Sequence, residues 1–282
     1  MNSILSLAHA ARANNRMEEF FAGETTLRIS AFAIVFAAIA MWEALVPRRP
    51  RRFKRSVRWP QNLALPAINH LLLILVVPGA EVGVAIAAQA HGWGLLPPFR
   101  LPVGVQTVTA IVLLDLAIYV QHRVFHVVPM LWRVHRVHHA DMDFDVTTGV
   151  RFHPLEIAFS TAFKCMMIAV IGATPVAVIA FEILLNASSM FEHANARLST
   201  SVDRWLRCIV VTPDMHRVHH SSVMSETNSN FGFNISWWDR LFGTYRAQPA
   251  AGHEAMQIGL EVFRNAGEVR VDRVLAQPFR ST

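Results

Sequence analysis

Long apolar runs constrain this chain before anything else. Ile29 to Val46, a stretch from about Leu63 to Ala88, and a third run from near Val105 into His122 are each long enough to read as membrane-spanning helices. At 1.5 Å per residue the first covers roughly 27 Å, just enough for the hydrocarbon core. Two further segments, Leu155–Ile171 and Val176–Met190, flank Gly172-Ala173-Thr174-Pro175, a strong turn signal. Together they read as a membrane hairpin whose arms are marginally short. The composition agrees, with 53% hydrophobic and only 16% charged residues. The predicted fold is all-α: a polytopic membrane bundle of about three spans plus the hairpin.

Details of the organisation follow from local signals. Pro66, Asn69 and His70 interrupt the start of the second run, and Pro78 is expected to kink it within one long span. Gly92 to Gly104, with Pro97, Pro98 and Pro102, reads as a loop. The net charge of +6 concentrates in Arg48, Arg49, Arg51, Arg52, Lys54, Arg55 and Arg58, directly after the first span. A basic run placed there is topogenic and marks the cytoplasmic side; it is not read as a nucleic-acid arm. Arg12, Arg16, Glu18 and Glu19 precede any long apolar run, so the N-terminus does not read as a signal peptide. Cys165 and Cys208 imply no disulfide framework. The expected division is residues 1–28 as a polar N-terminal segment, 29–103 as membrane helices with the basic loop, 104–246 as a catalytic region, and 247–282 as a cytosolic tail.

Three histidine clusters carry the chemistry: His122-x-x-x-His126, His135-x-x-His138-His139 and His216-x-x-His219-His220. Imidazole is the commonest protein ligand for iron, zinc and copper. Eight such side chains exceed one ordinary zinc site of about four ligands, so the count points to two metals. Residues i, i+3 and i+4 share a helix face, which lets each cluster point together. Membrane parity supports this: the hairpin returns the chain to the face on which the first two clusters lie, so all three meet on one cytoplasmic surface. The hairpin delivers His193 there too, as a ninth ligand. Asp115 and Tyr119 precede His122 along one helical stripe. An acid inside an apolar helix faces a functional interior, orienting His122 or His126, or else pairs with a basic side chain of the bundle. His153 is a ligand, a hydrogen-bond partner or a helix cap. His9, His70, His91 and His253 are isolated and are not read as ligands. The competing reading is a membrane metal-binding or metal-transport protein with a histidine-rich zinc site, which predicts ligands along a mid-membrane path. A haem-binding bundle is the third.

With these boxes in place the chain resembles the fatty acid hydroxylase/sterol desaturase superfamily of membrane di-iron oxygenases. Arg151-Phe-His153-Pro-Leu-Glu156, Thr212-Pro-Asp-Met-His-Arg-Val-His-His220, Asn230-Phe-Gly-Phe-Asn234 and Trp238-Asp239-Arg-Leu-Phe-Gly-Thr-Tyr245 also look like this family. The resemblance covers about residues 104 to 246. It implies membrane helices beneath a cytosolic, histidine-lined cap holding two iron ions, for which zinc may substitute on purification. It implies hydroxylation or desaturation of a lipid C–H bond with O2 as co-substrate. Electrons come from an external reductase, ferredoxin or cytochrome-type donor, for which Arg197, Arg204, Arg207 and Arg240 offer a docking surface or a contact with membrane lipids. The nine histidines carry over as ligands, with Asp115, His153, Asn195 and Asp239 as further ligand or supporting candidates. Some ceramide-type members carry another histidine where this chain has Ser189.

Overall fold

A computed structural model describes the backbone of residues 2–281 and the side chains of residues 21–281. His9 lies outside the described side chains. All regular structure among the described residues is helical. Five helices are long and apolar enough to cross a membrane, from Phe21–Leu45, Arg55–Val76, Val103–Val127, Pro154–Ile171 and Pro175–Glu192. The first belongs to α1, continuous from Asn2 to Leu45, and the others are α2, α4, α6 and α7. Between them lie α3 (Ala80–His91) and α5 (Pro129–His139); the cap adds the short α8 (Thr200–Leu206) and α9 (Pro213–His219).

The hairpin is built from the signals its sequence carries. His153 caps α6, Pro154 occupies its first position, and Gly172 ends it in the left-handed conformation. Thr174 then caps α7 by accepting from the Ala177 amide, and Pro175 follows. Each arm has 18 residues, roughly 27 Å of helix. The tip is held by close backbone approach: a Cβ on Gly94 would sit 2.2 Å from the Gly172 nitrogen.

The second apolar run departs from the expected single kinked span. It starts at Arg55, stops at Val76, and restarts at Ala80 after Pro78 and a left-handed Gly79. A proline lacks the amide a helix needs, and with Gly79 at φ 63° the chain breaks outright. One residue of the basic run is structural. Arg58, inside α2, is fully buried and holds Asp141 at 2.8 Å and Asp145 at 2.5 Å.

α3, α4, α6 and α7 share a core of Val82, Ala85, Leu114, Ile168 and Phe181. In lipid such packing gains little from expelling water and rests on close fit and polar contacts. An ionic chain supplies the latter. Arg28 on α1 contacts Glu24 at 2.7 Å and Glu182 on α7 at 3.3 Å; Lys164 on α6 contacts Glu182 at 2.7 Å and Glu81 on α3 at 3.1 Å.

One end of the bundle collects every functional segment. The exit of α1 pairs with the exit of α7 through Arg48 N–H to Asn195 O and Arg197 N–H to Val46 O. The start of α2 meets the 141–148 loop through Arg58. The end of α4, all of α5 and the start of α6 lie at this end too, joined by the His135–Glu156 contact.

Candidate metal centre

The chain brings all nine sequence-selected histidines together. They form two groups, His122, His126, His135, His139 and His219 in one, His138, His193, His216 and His220 in the other. Within each group one nitrogen per ring lies within 4.8 Å of all the others. The groups touch: the rings of His139 and His220 stack with centroids 4.5 Å apart.

Each His-x-x-His-His pentad divides between the groups, where a single shared face was expected. Helix geometry explains the division. Successive residues turn by about 100°, so i and i+4 diverge by about 40°, while i+3 lies about 60° to the other side of i. His135 and His139 therefore enter one group and His138 the other; His216 and His220 pair, and His219 crosses over.

Hydrogen bonds orient most of the rings. His122 Nδ1 lies 2.8 Å from Phe231 O, His219 Nδ1 2.7 Å from Ser229 O, and His193 Nδ1 2.6 Å from Ser189 O. A carbonyl only accepts, so each of these rings carries its proton on Nδ1 and offers an unprotonated Nε2. His126 Nδ1 faces Asn228 Oδ1 at 3.2 Å, and His135 Nδ1 faces Glu156 Oε1 at 2.6 Å. Pairing of a ring nitrogen to a carboxylate or carbonyl is the arrangement that fixes metal-binding imidazoles.

The inward nitrogens then have nothing to bond. Nε2 of His122, His126 and His219 is buried without a partner, as are both nitrogens of His216. His193 Nε2 lies 3.1 Å from His138 Nε2 and 3.0 Å from His220 Nε2. Three imidazole nitrogens converging so closely cannot each have a proton to share. Burial and neighbouring rings hold His138, His139, His216, His219 and His220 far below the usual histidine pKa, and burial takes His193 down to about 3. Neutral imidazoles with orphaned lone pairs are the donor set a transition metal takes.

The other sequence candidates surround the histidines without joining them. Asp115 accepts from Asn234 N–H and Nδ2, from Ile235 N–H and from Trp238 Nε1. Asp239 accepts from the amides of Phe231 and Gly232 and from Thr244 Oγ1, and Thr244 meets Tyr119. The two acids thus brace the 231–238 loop, and that loop holds His122. Asn195 grips the backbone of Arg49 in both directions. His153 caps α6 and meets Leu275 O, outside both groups. Arg207 is buried and ion-paired to Asp203, so it leaves the expected docking surface; Arg197, Arg204 and Arg240 are exposed.

Three contributors are absent from the sequence-based set of site residues. Glu156 sits in the first turn of α6, where an acid is ordinary helix-end chemistry. Asn228 lies far along the chain from His126. Glu192 is fully buried, bonded to nothing, and 3.7 Å from both His193 and His216.

The profile of the family described as "Fatty acid hydroxylase" matches residues 107–244. The ornithine lipid hydroxylase of Rhizobium tropici is 28% identical over 248 residues, covering 82% of this chain and 71% of that protein. Residues 107–244 of the chain therefore belong to the fatty acid hydroxylase family. Cholesterol 25-hydroxylase of Rattus norvegicus is 26% identical over 252 residues, with 80% of each chain covered. Alkylglycerol monooxygenase of Xenopus tropicalis is 30% identical over 166 residues, 58% of this chain and 36% of that protein, so the chain spans about a third of that relative. No solved structure gives a significant match. All nine histidines, Glu156, Glu192 and Asn228 fall inside the hydroxylase-family region, and the basic loop at 48–58 falls outside it.

Proposed function

We propose that the protein is a membrane-bound di-iron oxygenase that hydroxylates, or desaturates, a lipid C–H bond with O2 and electrons from a separate donor. The observation that carries this reading is the pair of touching, buried histidine groups with unpartnered inward nitrogens. His122, His126, His135, His139 and His219 would hold one iron, and His138, His193, His216 and His220 the other. When bound, the metal pair supplies the activation of O2 and the oxidising power that removes hydrogen from the lipid. The relatives are named for an ornithine lipid, an alkylglycerol and cholesterol. What these share is lipid character, and the substrate class is taken no further.

The chain's own contribution is orientation and exclusion. Phe231 O, Ser229 O, Ser189 O, Glu156 and Asn228 fix which nitrogen of each ring turns inward. Burial keeps His138, His139, His193, His216, His219 and His220 neutral, as ligands must be. Eight of the nine histidines are buried, so bulk water is kept from the centre. The histidine end carries the basic run, which supports a cytosolic orientation. Exposed Trp205 and Trp237 near this end suit the headgroup boundary.

Metal analysis of protein purified anaerobically tests the reading, together with lipid mass spectra of cells with and without the gene. About two irons per chain is the expectation, with a lipid gaining one oxygen or losing two hydrogens. Full zinc occupancy without iron, and unchanged lipids, would sink it and restore the zinc-site alternative.

A further inference from the structure

A cleft outside the histidine groups lies between the basic loop and the cap. Its volume is about 300 Å³, and Arg49, Arg51, Arg52 and Arg264 line it with Asp143 and Phe144. Four arginines face one acid, and that acid is already engaged: its oxygens accept from the amides of Arg52 and Phe53 at 2.7 and 2.8 Å. None of the four guanidinium groups is ion-paired with a carboxylate among the described residues. Arg49 donates to the carbonyls of His253 and Met256, Arg264 to those of Ile258 and Leu260, and Arg52 to that of Arg264. Arg51 Nε is buried with no partner. Neutral carbonyls hold the guanidinium groups in place but do not offset their charge. Like charges gathered this way repel, and the arrangement is stable only at a cost that a bound anion removes.

We propose that this cleft binds the phosphate group of an anionic lipid headgroup. Three observations select that occupant. The planar fork of arginine matches phosphate oxygens bidentately. The basic loop starts only a few residues beyond α1, which ends at Leu45, and α2 begins at Arg55, so the cleft sits at headgroup level if these helices span the bilayer. The cleft is concave and of a size that holds a small group, whereas a protein partner meets a broader, flatter surface. Phe144, which lines the cleft, also lies 5.3 Å from the His193 ring and 5.2 Å from the His220 ring. A lipid anchored here is therefore held beside the second histidine group. The binding site itself does not depend on the oxidative chemistry proposed above.

The test uses the full-length protein in detergent and reads binding by calorimetry. The probes are dihexanoyl phosphatidic acid, inorganic phosphate and dihexanoyl glycerol. Phosphatidic acid should bind, weaken with added salt, and lose about tenfold in affinity for each of Arg52→Gln and Arg264→Gln, as expected for one charge-assisted contact. Arg52 is exposed, so Arg52→Gln keeps the test valid should Arg264→Gln fold poorly. Iron or zinc content should stay at the unsubstituted level in both variants, which separates this site from the histidine centre. Equal affinity for inorganic phosphate would support the phosphate site and overturn the lipid as its source. Equal affinity for dihexanoyl glycerol, or binding unaffected by both substitutions, would overturn the proposal. So would binding of an acidic peptide in place of phosphate, which would make the cleft a protein-docking surface.

Discussion

His138 and His139 are neighbours in the chain, yet their rings stand at 90° with centroids 5.3 Å apart and serve different histidine groups. His219 and His220 repeat the relationship at 77° and 5.5 Å. A His-His pair at the end of a short helix is thus a fork, and two such forks facing each other, joined by His122 and His126 from α4 and His193 after α7, define two adjacent centres. On the proposed reading, His138→Ala and His139→Ala each empty a different metal position. Anaerobic metal analysis should find each variant reduced to about one iron per chain, with turnover lost in both. Full iron and wild-type turnover in either variant would remove that residue from the ligand set.

Glu156 turns His135 toward its group from 2.6 Å. Glu156→Gln keeps the shape and removes the charge, so metal affinity should fall about 10- to 100-fold. Competition with a chelator measures this, and an unchanged affinity would make Glu156 a helix-end acid and nothing more.

The metal-free protein should be acid-sensitive. Burial lowers the folded-state pKa of His138, His139, His216, His219 and His220, and takes His193 down to about 3, against about 6.5 in the unfolded chain. Between those values the unfolded state binds more protons than the folded one, so stability rises with pH across that window. The contribution is complete above about 6.5 and is lost as pH falls toward 3, by up to ~1.4 kcal/mol per pH unit for each histidine. Thermal unfolding of chelator-treated protein from about pH 7.5 to about 5 checks it. A midpoint that stays level over that range would contradict the buried, neutral assignment.

Gly149 presses on the residue that holds His193. A Cβ there would meet Ser189 O at 2.5 Å, and that carbonyl carries His193 Nδ1. Gly149→Ala should cost about 1–3 kcal/mol of stability and lower metal content with it. Gly104→Ala, where a Cβ meets nothing, is the control; it should be neutral or slightly stabilising, by up to ~1 kcal/mol. Equal midpoints and equal metal content in the two variants would disprove the contact's importance.

The sequence made the histidines legible because ligand chemistry is written in residue type and spacing, and both survive without a structure. The hairpin was legible for a similar reason: Gly172, Thr174 and Pro175 act on their immediate neighbours. What stayed hidden is long-range or lacks a residue signature. Phe231 O and Ser229 O orient two rings, but a carbonyl belongs to every residue. Asp115 was noticed as an acid in a span, yet its partners lie more than a hundred residues away, in the loop bracing His122. Asn195 stands two residues after His193, but its side chain holds Arg49. Pro78 alone reads as a kink; the left-handed Gly79 beside it makes a break.

The ionic chain through the bundle has a consequence for how the protein is made. Lys164 and Glu182 lie on the two arms of one hairpin, so those arms neutralise each other as they enter the bilayer together. Arg28 likewise has Glu24 one turn away on its own helix. Glu81 has no such companion on α3; before Lys164 is synthesised, the more distant charge of Arg28 is what faces it. An unpaired acid is costly in lipid. Arrival of the hairpin is therefore the step at which Glu81 gains its nearest partner.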